Sequence, residues 1–257
     1  MSVSRNSQHK EHIMVIVPTK DRWVTDSIAE FFALAVHKNY DPDHRFKYSV
    51  STLAEIDGYA AVRNIGVQRF QLSDCDRLWF IDNDTILPCD IFELPEVAGD
   101  IVTLPYPFAG TMTPAIVNYA DVNDFSKGLT PVVPGPGGIA DVNGTGMGCT
   151  LITRRVIEDP AMCYPTEYMT GDGRWVDEAD DEDAPLPIFK FRRRPSGRWE
   201  LGEDYDFCIR AKRLGYSIRI RMKSICGHLK TVDLKEAHER SVAAVSGGRE
   251  DTRTYAL

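Results

Sequence analysis

Two hydrophobic periods alternate through the first hundred residues, and that alternation narrows the architectures open to the chain. His12–Val17 (HIMVIV) is a short β-branched run that stops at Pro18-Thr19 and predicts a buried strand. Val24–Lys38 then places Ile28, Phe31, Phe32, Ala35 and Val36 at helical spacing, with Thr25 or Asp26 as N-cap. Phe46–Thr52 alternates as a second strand, and Tyr59–Phe70 follows as a helix with Ala61, Ile65 and Phe70 toward the core. Leu78–Ile81 and Ile101–Leu104 read as third and fourth strands. Strand and helix in turn predict an α/β fold around a mostly parallel sheet with helices on both faces. Ligands of such sheets bind at the carboxyl ends of the strands, where both PTKD and DND fall.

The third of these strands ends unusually. RLWFIDNDTILP runs four apolar residues straight into Asp82-Asn83-Asp84. In extended geometry Asp82 and Asp84 face the same way. Two such carboxylates repel unless something positive lies between them. Asp and Asn also form ordinary turns, so the stretch alone leaves a polar turn and a cation site both open.

Composition removes several classes. Hydrophobic content of 43% supports a normal core, and no apolar run approaches a membrane span. The polar start, MSVSRNSQHKEH, has no signal-like apolar region, so the expectation is a soluble protein of the cytoplasm. Six scattered cysteines with no C-x-x-C pair argue against a zinc ribbon or redox dithiol. A net charge of −8 excludes a global basic field for nucleic acid and leaves only a local patch.

The second half is less regular. GTGMG at 144–148 does not follow the first strand of a βαβ unit, so it is not read as a dinucleotide fingerprint. Residues 169–198 read as a mobile loop containing the acidic run DEADDEDAP and then FKFRRRPSGRW. Glu203–Leu214 predicts a helix closed by Gly215, and Ser217–Arg221 a further strand. Polar groups thus gather at element ends: Thr19, Arg63-Asn64, Asp82 and Asp84, Glu203-Asp204, and His228 with Lys230. Carboxylates are hard ligands for a divalent cation, and His228 offers a nitrogen that Mn²⁺ accepts better than Ca²⁺ does. Arg63 and Lys230 suit phosphate. Glu203-Asp204 is explained equally well as a helix-start pair or as a general base.

In order, VIVPT, GYAAVRNIGVQRF, LWFIDNDT, GTGMGCTLITRR, GEDYDFCIRAKRLGY and CGHLK resemble GT-A glycosyltransferases, most of all family-2-like enzymes, over about residues 13–230. The resemblance implies one fused domain over 12–235, between an N-terminal tail (1–11) and a C-terminal helix and tail (236–257). Its nucleotide-binding half would be 12–105 and its acceptor-binding half 106–235. It implies that Asp82 and Asp84 form the metal-binding D-x-D, completed by His228, with Mn²⁺ (or Mg²⁺) holding a nucleotide-diphosphate sugar such as a UDP-sugar. Pro18, Thr19, Arg63, Asn64, Asp82, Asn83 and Lys230 would then face the donor. Asp204 would be the base of an inverting transfer, with Glu203 orienting it or the sugar.

The chain departs from the family in two places. The uracil-contacting aspartate is not evident after the second strand unless Asp57 serves, and the 169–198 loop is long enough to act as a lid. Arg194, Arg198 and Trp199 mark an acceptor side. Its ligand would be a saccharide, a small molecule or hydroxymethylated DNA, which some phage-encoded members of the superfamily modify. Two other readings stay open, a sugar-phosphate nucleotidyltransferase and an inactive nucleotide-sugar or glycan binding module. The first would need a glycine-rich basic loop after the first strand, which VPTKDRW lacks.

Overall fold

The computed structural model describes residues 10–19, 23–54, 56, 58–107, 114–163, 187–190, 192–193 and 199–229. The chain runs β1 (Glu11–Thr19), α1 (Asp26–Tyr40), β2 (Phe46–Ala54), α2 (Tyr59–Gln71), β3 (Arg77–Ile81), β4 (Thr85–Ile86) and β5 (Ile101–Thr103). It continues through β6 (Ile116–Val117), β7 (Ile139–Asp141), β8 (Gly144–Thr145), β9 (Cys149–Thr153) and the single turn α3 (Arg154–Ile157). Then come β10 (Arg192–Arg193), β11 (Trp199–Leu201), α4 (Glu203–Arg213), β12 (Ile218–Arg221) and β13 (Gly227–His228).

Seven strands form the central sheet in the order β2-β1-β3-β9-β5-β12-β7. The sheet is mostly parallel, as expected: β2, β1, β3, β5 and β12 run the same way, while β9 lies antiparallel between β3 and β5, and β7 antiparallel on β12. The apolar run Cys149–Ile152 takes the central slot because all four residues are buried and both neighbours satisfy its backbone.

Strand residues divide by parity between two cores, as a period of two requires. Ile13, Val15, Val17, Trp79 and Ile81 meet Ile28, Phe31 and Ala35 of α1 on one face. Ile16, Leu78 and Phe80 meet Val62, Val67 and Phe70 of α2, with Phe207, Cys208 and Ala211 of α4, on the other. Helices cover both faces, as the alternation predicted. On α2, Phe70 is buried as expected and Ile65 packs partly buried against the core, but Ala61 is exposed, and Val62, Arg63, Gly66 and Val67 fill the rest of the inward face. A hydrophobic count does not score an arginine or a glycine as core.

Thr25 is the N-cap of α1, but its hydroxyl does not cap the helix; it donates to the Thr85 carbonyl at 2.7 Å. Gly215 ends α4 with φ +88°, the left-handed conformation expected of it. The first nine residues, Asp57, residues 164–186, Arg194, Arg198 and everything after 229 lie outside the described part, and with them most of the expected loop and the expected C-terminal helix.

Gly66 allows α2 to lie close on the sheet: a Cβ there would stand 2.8 Å from Phe80 Cε1 and 3.3 Å from Ile16 Cγ2. Gly66→Val is expected to lower stability by about 1–3 kcal/mol, the usual cost of overpacking, read as a lowered denaturation midpoint in urea.

Candidate functional site

The DND segment is a turn, not a continued strand. β3 stops at Ile81, and Thr85 N–H donates back to the Asp82 carbonyl at 3.0 Å. Neighbouring elements pin this turn from several sides. Asp82 N–H donates to the Gly148 carbonyl at 2.9 Å, and Thr85 Oγ1 donates to the same oxygen at 3.0 Å. Thr25 N–H donates to Asn83 O at 3.2 Å, while the Asn83 amide donates to Trp23 O. Leu229 N–H donates to Asp84 O at 2.8 Å, and β13 pairs antiparallel with β4, setting His228 opposite Thr85.

Both aspartates line one cavity of about 510 Å³, but they face different partners. Asp84 Oδ2 lies 3.0 Å from His228 Nε2. The other ring nitrogen, Nδ1, lies 3.1 Å from the Pro107 carbonyl. A carbonyl can only accept, so Nδ1 carries a hydrogen and donates it. Nε2 then holds a second proton as imidazolium, or it holds a lone pair facing a carboxylate. In the second case a cation between the two resolves the repulsion. A separation of 3.0 Å is also that of adjacent ligand atoms around an octahedral ion with bonds of about 2.1 Å. One imidazole and one carboxylate, Asp84, are a donor pair that a divalent cation such as Mn²⁺ accepts, with the rest of its coordination left to other groups.

Asp82 instead faces Arg63, whose Nη2 lies 3.3 Å from Asp82 Oδ1. The other arm of the same guanidinium, Nη1, is ion-paired with Glu203 Oε1. The Arg63 side chain is only 3% exposed. Burial opposes its charge, but Asp82 and Glu203 more than offset this and raise its pKa above the ordinary value. The reading of Arg63 as a phosphate donor thus meets a guanidinium already engaged by two carboxylates. Asn64 points elsewhere: its amide donates to Phe189 O at 2.8 Å and accepts from the N–H groups of Ile188 and Phe189. It fastens the 187–190 segment to α2 and does not line the cavity.

Glu203 and Asp204 open α4 at the cavity wall, where the helix N-terminus favours carboxylates. Asp204 Oδ1 accepts from Tyr205 N–H at 2.8 Å. Burial and the adjacent Glu203 push the Asp204 carboxyl up to about 6, against the opposing pull of Arg63. Four carboxylates (Asp82, Asp84, Glu203, Asp204) thus line the cavity against the one guanidinium of Arg63 among the described residues. Such an excess suits a bound cation and a group that exchanges protons near neutrality.

Pro18 and Thr19 also line the cavity, and Thr19 Oγ1 donates to Trp23 O. Ile56, Val62 and the exposed Tyr59 add apolar surface to the same lining. Trp199 opens β11, four residues before Glu203 on the direct path into α4. Lys230, Arg194, Arg198 and Asp57 lie outside the described residues.

Sequence reasoning missed Tyr106. Its ring meets the His228 imidazole edge-on, with centroids 5.7 Å apart at 90°. A Cβ on Gly146 would overlap the phenol oxygen, and one on Gly148 would stand 3.1 Å from the ring. The glycines of GTGMG therefore make room for an aromatic side chain in the cavity wall, not for a dinucleotide. Burial, Asp82 and Asp204 raise the Tyr106 pKa well above its usual value, so its hydroxyl stays protonated. Its place just past β5, at the same strand ends as DND, was the available signal.

No family model matches the chain, and no curated protein does. Among solved structures, A197 from STIV aligns with TM-score 0.48 at 17% identity, covering 86% of each chain. GalNAc-T7 with UDP, GalNAc and Mn²⁺ aligns with TM-score 0.48 at 12% identity; the alignment covers 88% of this chain but only 45% of that one. The inositol-1-phosphate CTP transferase from T. maritima aligns with TM-score 0.41 at 8% identity, covering 91% and 96%. At these scores the likeness assigns no role to any residue of this chain.

Two predictions follow from the geometry. Gly146→Ala should lower the thermal midpoint by displacing Tyr106, and Gly146→Ala/Tyr106→Ala should lose less than the sum of the single changes. The raised Asp204 pKa also has a definite sign. A carboxyl raised to about 6 from 3.8 adds stability that is complete below pH 3.8 and lost as pH rises through 6. Asp204→Asn should flatten that part of the profile of melting temperature against pH.

Proposed function

We propose that the protein is a metal-dependent glycosyltransferase that moves a sugar from a nucleotide-diphosphate donor, a UDP-sugar, to an acceptor hydroxyl with inversion. One arrangement carries this reading: the Asp204 carboxyl, at the start of α4, lines the same cavity as the Asp84–His228 pair. The chemistry needs both, a place to neutralise a departing diphosphate and a base for the incoming hydroxyl.

Asp84 and His228 would hold a divalent cation, with Asp82 beside them. A cation bound there supplies Lewis-acid stabilisation of the negative charge on the leaving diphosphate. The nucleoside would lie against Pro18, Thr19 and the Tyr59 ring of the cavity lining. Asp204 takes the acceptor proton as its oxygen attacks the anomeric carbon; the bond from that carbon to the diphosphate oxygen breaks. The Tyr106 hydroxyl, held protonated, is a donor within the same wall. The acceptor would approach from the β10–β11 side, with Trp199, Arg194 and Arg198 as its contacts.

A nucleotidyltransferase has no evident use for a base at Asp204 and lacks its glycine-rich loop here. Among the described residues, no helix is long and apolar enough to cross a membrane.

The test is release of UDP from a panel of UDP-sugars with Mn²⁺ or with chelator, alone and with saccharide or hydroxymethylated-DNA acceptors. Asp84→Ala should abolish the metal-dependent thermal shift given by UDP. Asp204→Asn should keep that shift and lower transfer by about 10²–10⁴-fold. Wild-type kcat/KM should rise with pH through about 6, because only the ionised carboxylate accepts a proton. Absence of UDP release with every donor, metal present, would leave a binding module.

A further inference from the structure

Glu203 and Asp204 are chemically alike, adjacent, and at the same helix end, so the resemblance that makes Asp204 the base gives no physical reason why Glu203 is not. The structure separates them by their partners. Glu203 is ion-paired with Arg63 Nη1 in a buried contact. Asp204 accepts a hydrogen bond from its own helix backbone, and among the described residues no guanidinium or ammonium group contacts it.

Arg63 reaches this position because it lies on the inward face of α2, one turn after the exposed Tyr59 ring that stands 5.9 Å from its Cζ. Its second arm is 3.3 and 3.4 Å from the two Asp82 oxygens. A buried cation is tolerated only where carboxylates compensate it, and both arms of this guanidinium are taken, one by Glu203 and one by Asp82. The third carboxylate of the group, Asp204, stands next to Glu203 in the chain, and among the described residues no ion pair joins it to that cation.

We propose that Arg63 is the positioning residue that makes Asp204, and not Glu203, the proton acceptor: it occupies Glu203 in a buried ion pair and leaves the Asp204 carboxyl to face the cavity. This rests on the glycosyl-transfer reading only for what the proton does, not for where it sits. The groups around the Asp204 carboxyl are consistent with the assignment. Glu203, Tyr205 and Cys208 come from α4, Arg63 from α2, and Tyr106 from the segment after β5. Tyr106, Tyr205 and Cys208 all have raised pKa values and stay neutral at the pH where Asp204 exchanges its proton. Among the described residues, Glu203 and Arg63 are the charges that act on it.

The decisive experiment is a carbon-13 carboxyl NMR titration of the full-length protein, with the Asp204 resonance assigned by its loss in Asp204→Asn. Arg63→Gln should raise the Asp204 midpoint by roughly one pH unit or more, because an opposite charge has been removed. Glu203→Gln should lower it, because a like charge has gone. Arg63→Lys, which keeps the charge, should hold it near the wild-type value. An unmoved midpoint in both Arg63→Gln and Glu203→Gln overturns the proposal. If Arg63→Gln fails to fold, Glu203→Gln decides alone: a lowered midpoint supports the proposal, an unchanged one overturns it.

The acid limb of UDP-sugar turnover is measured in parallel and should move with the midpoint. A moved midpoint in a protein that turns over no sugar nucleotide supports the Arg63 assignment and overturns the transfer reading. Turnover whose acid limb ignores Arg63→Gln and Glu203→Gln leaves the transfer reading standing and overturns the role of Arg63.

Discussion

The buried guanidinium of Arg63 is the contact on which the arrangement of the site depends. It joins the end of β3, through Asp82, to the start of α4, through Glu203, elements about 120 residues apart in the chain. A guanidinium at 3% exposure would be severely destabilising without compensation, and two carboxylates provide it. The converse is equally strict. Without Arg63, carboxylates at the end of β3 and the start of α4 would face one another with nothing positive among the described residues to balance them. Breaking such a buried pair by removing one partner costs about 3–5 kcal/mol, so the ion pair holds the two walls of the cavity in register.

Around that contact the turn after β3 is held almost wholly by backbone hydrogen bonds. Gly148 O receives both Asp82 N–H and Thr85 Oγ1, and the Asp84 carbonyl receives Leu229 N–H. The carboxylates are thereby positioned without spending their own oxygens on the turn. The antiparallel insertion of β9 is what brings Gly148 there: Cys149 pairs with Ile81, so the residue before β9 meets the residue after β3. A strictly parallel sheet would have put a different strand, and a different loop, at this place.

Much of the frame was legible in the residues. The alternation of periods two and 3.6 located β1, α1, β2, α2, β3 and β5 within a few residues, because each is long or strongly patterned. α4 was legible from its acidic start and its closing Gly215. The short strands β4, β6, β7, β8 and β13 were not, since two or three residues carry no period. Part of the inward face of α2 was misjudged because its burial of Arg63 is offset by an ion pair formed with distant residues. Asn64 illustrates the same limit: its amide is satisfied by the backbone of Ile188 and Phe189, a contact more than 120 residues away in sequence.

The sequence by itself determined that polar residues would stand at the ends of buried strands and at the start of a helix, and that these ends belong to one α/β sheet. Local hydrophobic period and turn chemistry suffice for that, because both act within a few residues. Only the tertiary structure decided how those groups are shared. It paired Asp84 with His228 through the β4–β13 bridge, gave Asp82 and Glu203 to one guanidinium, and left Asp204 with its raised pKa. It also turned the glycines of GTGMG into space for Tyr106. Partner choice among like charges is set by distance and burial, and neither exists until the chain has folded.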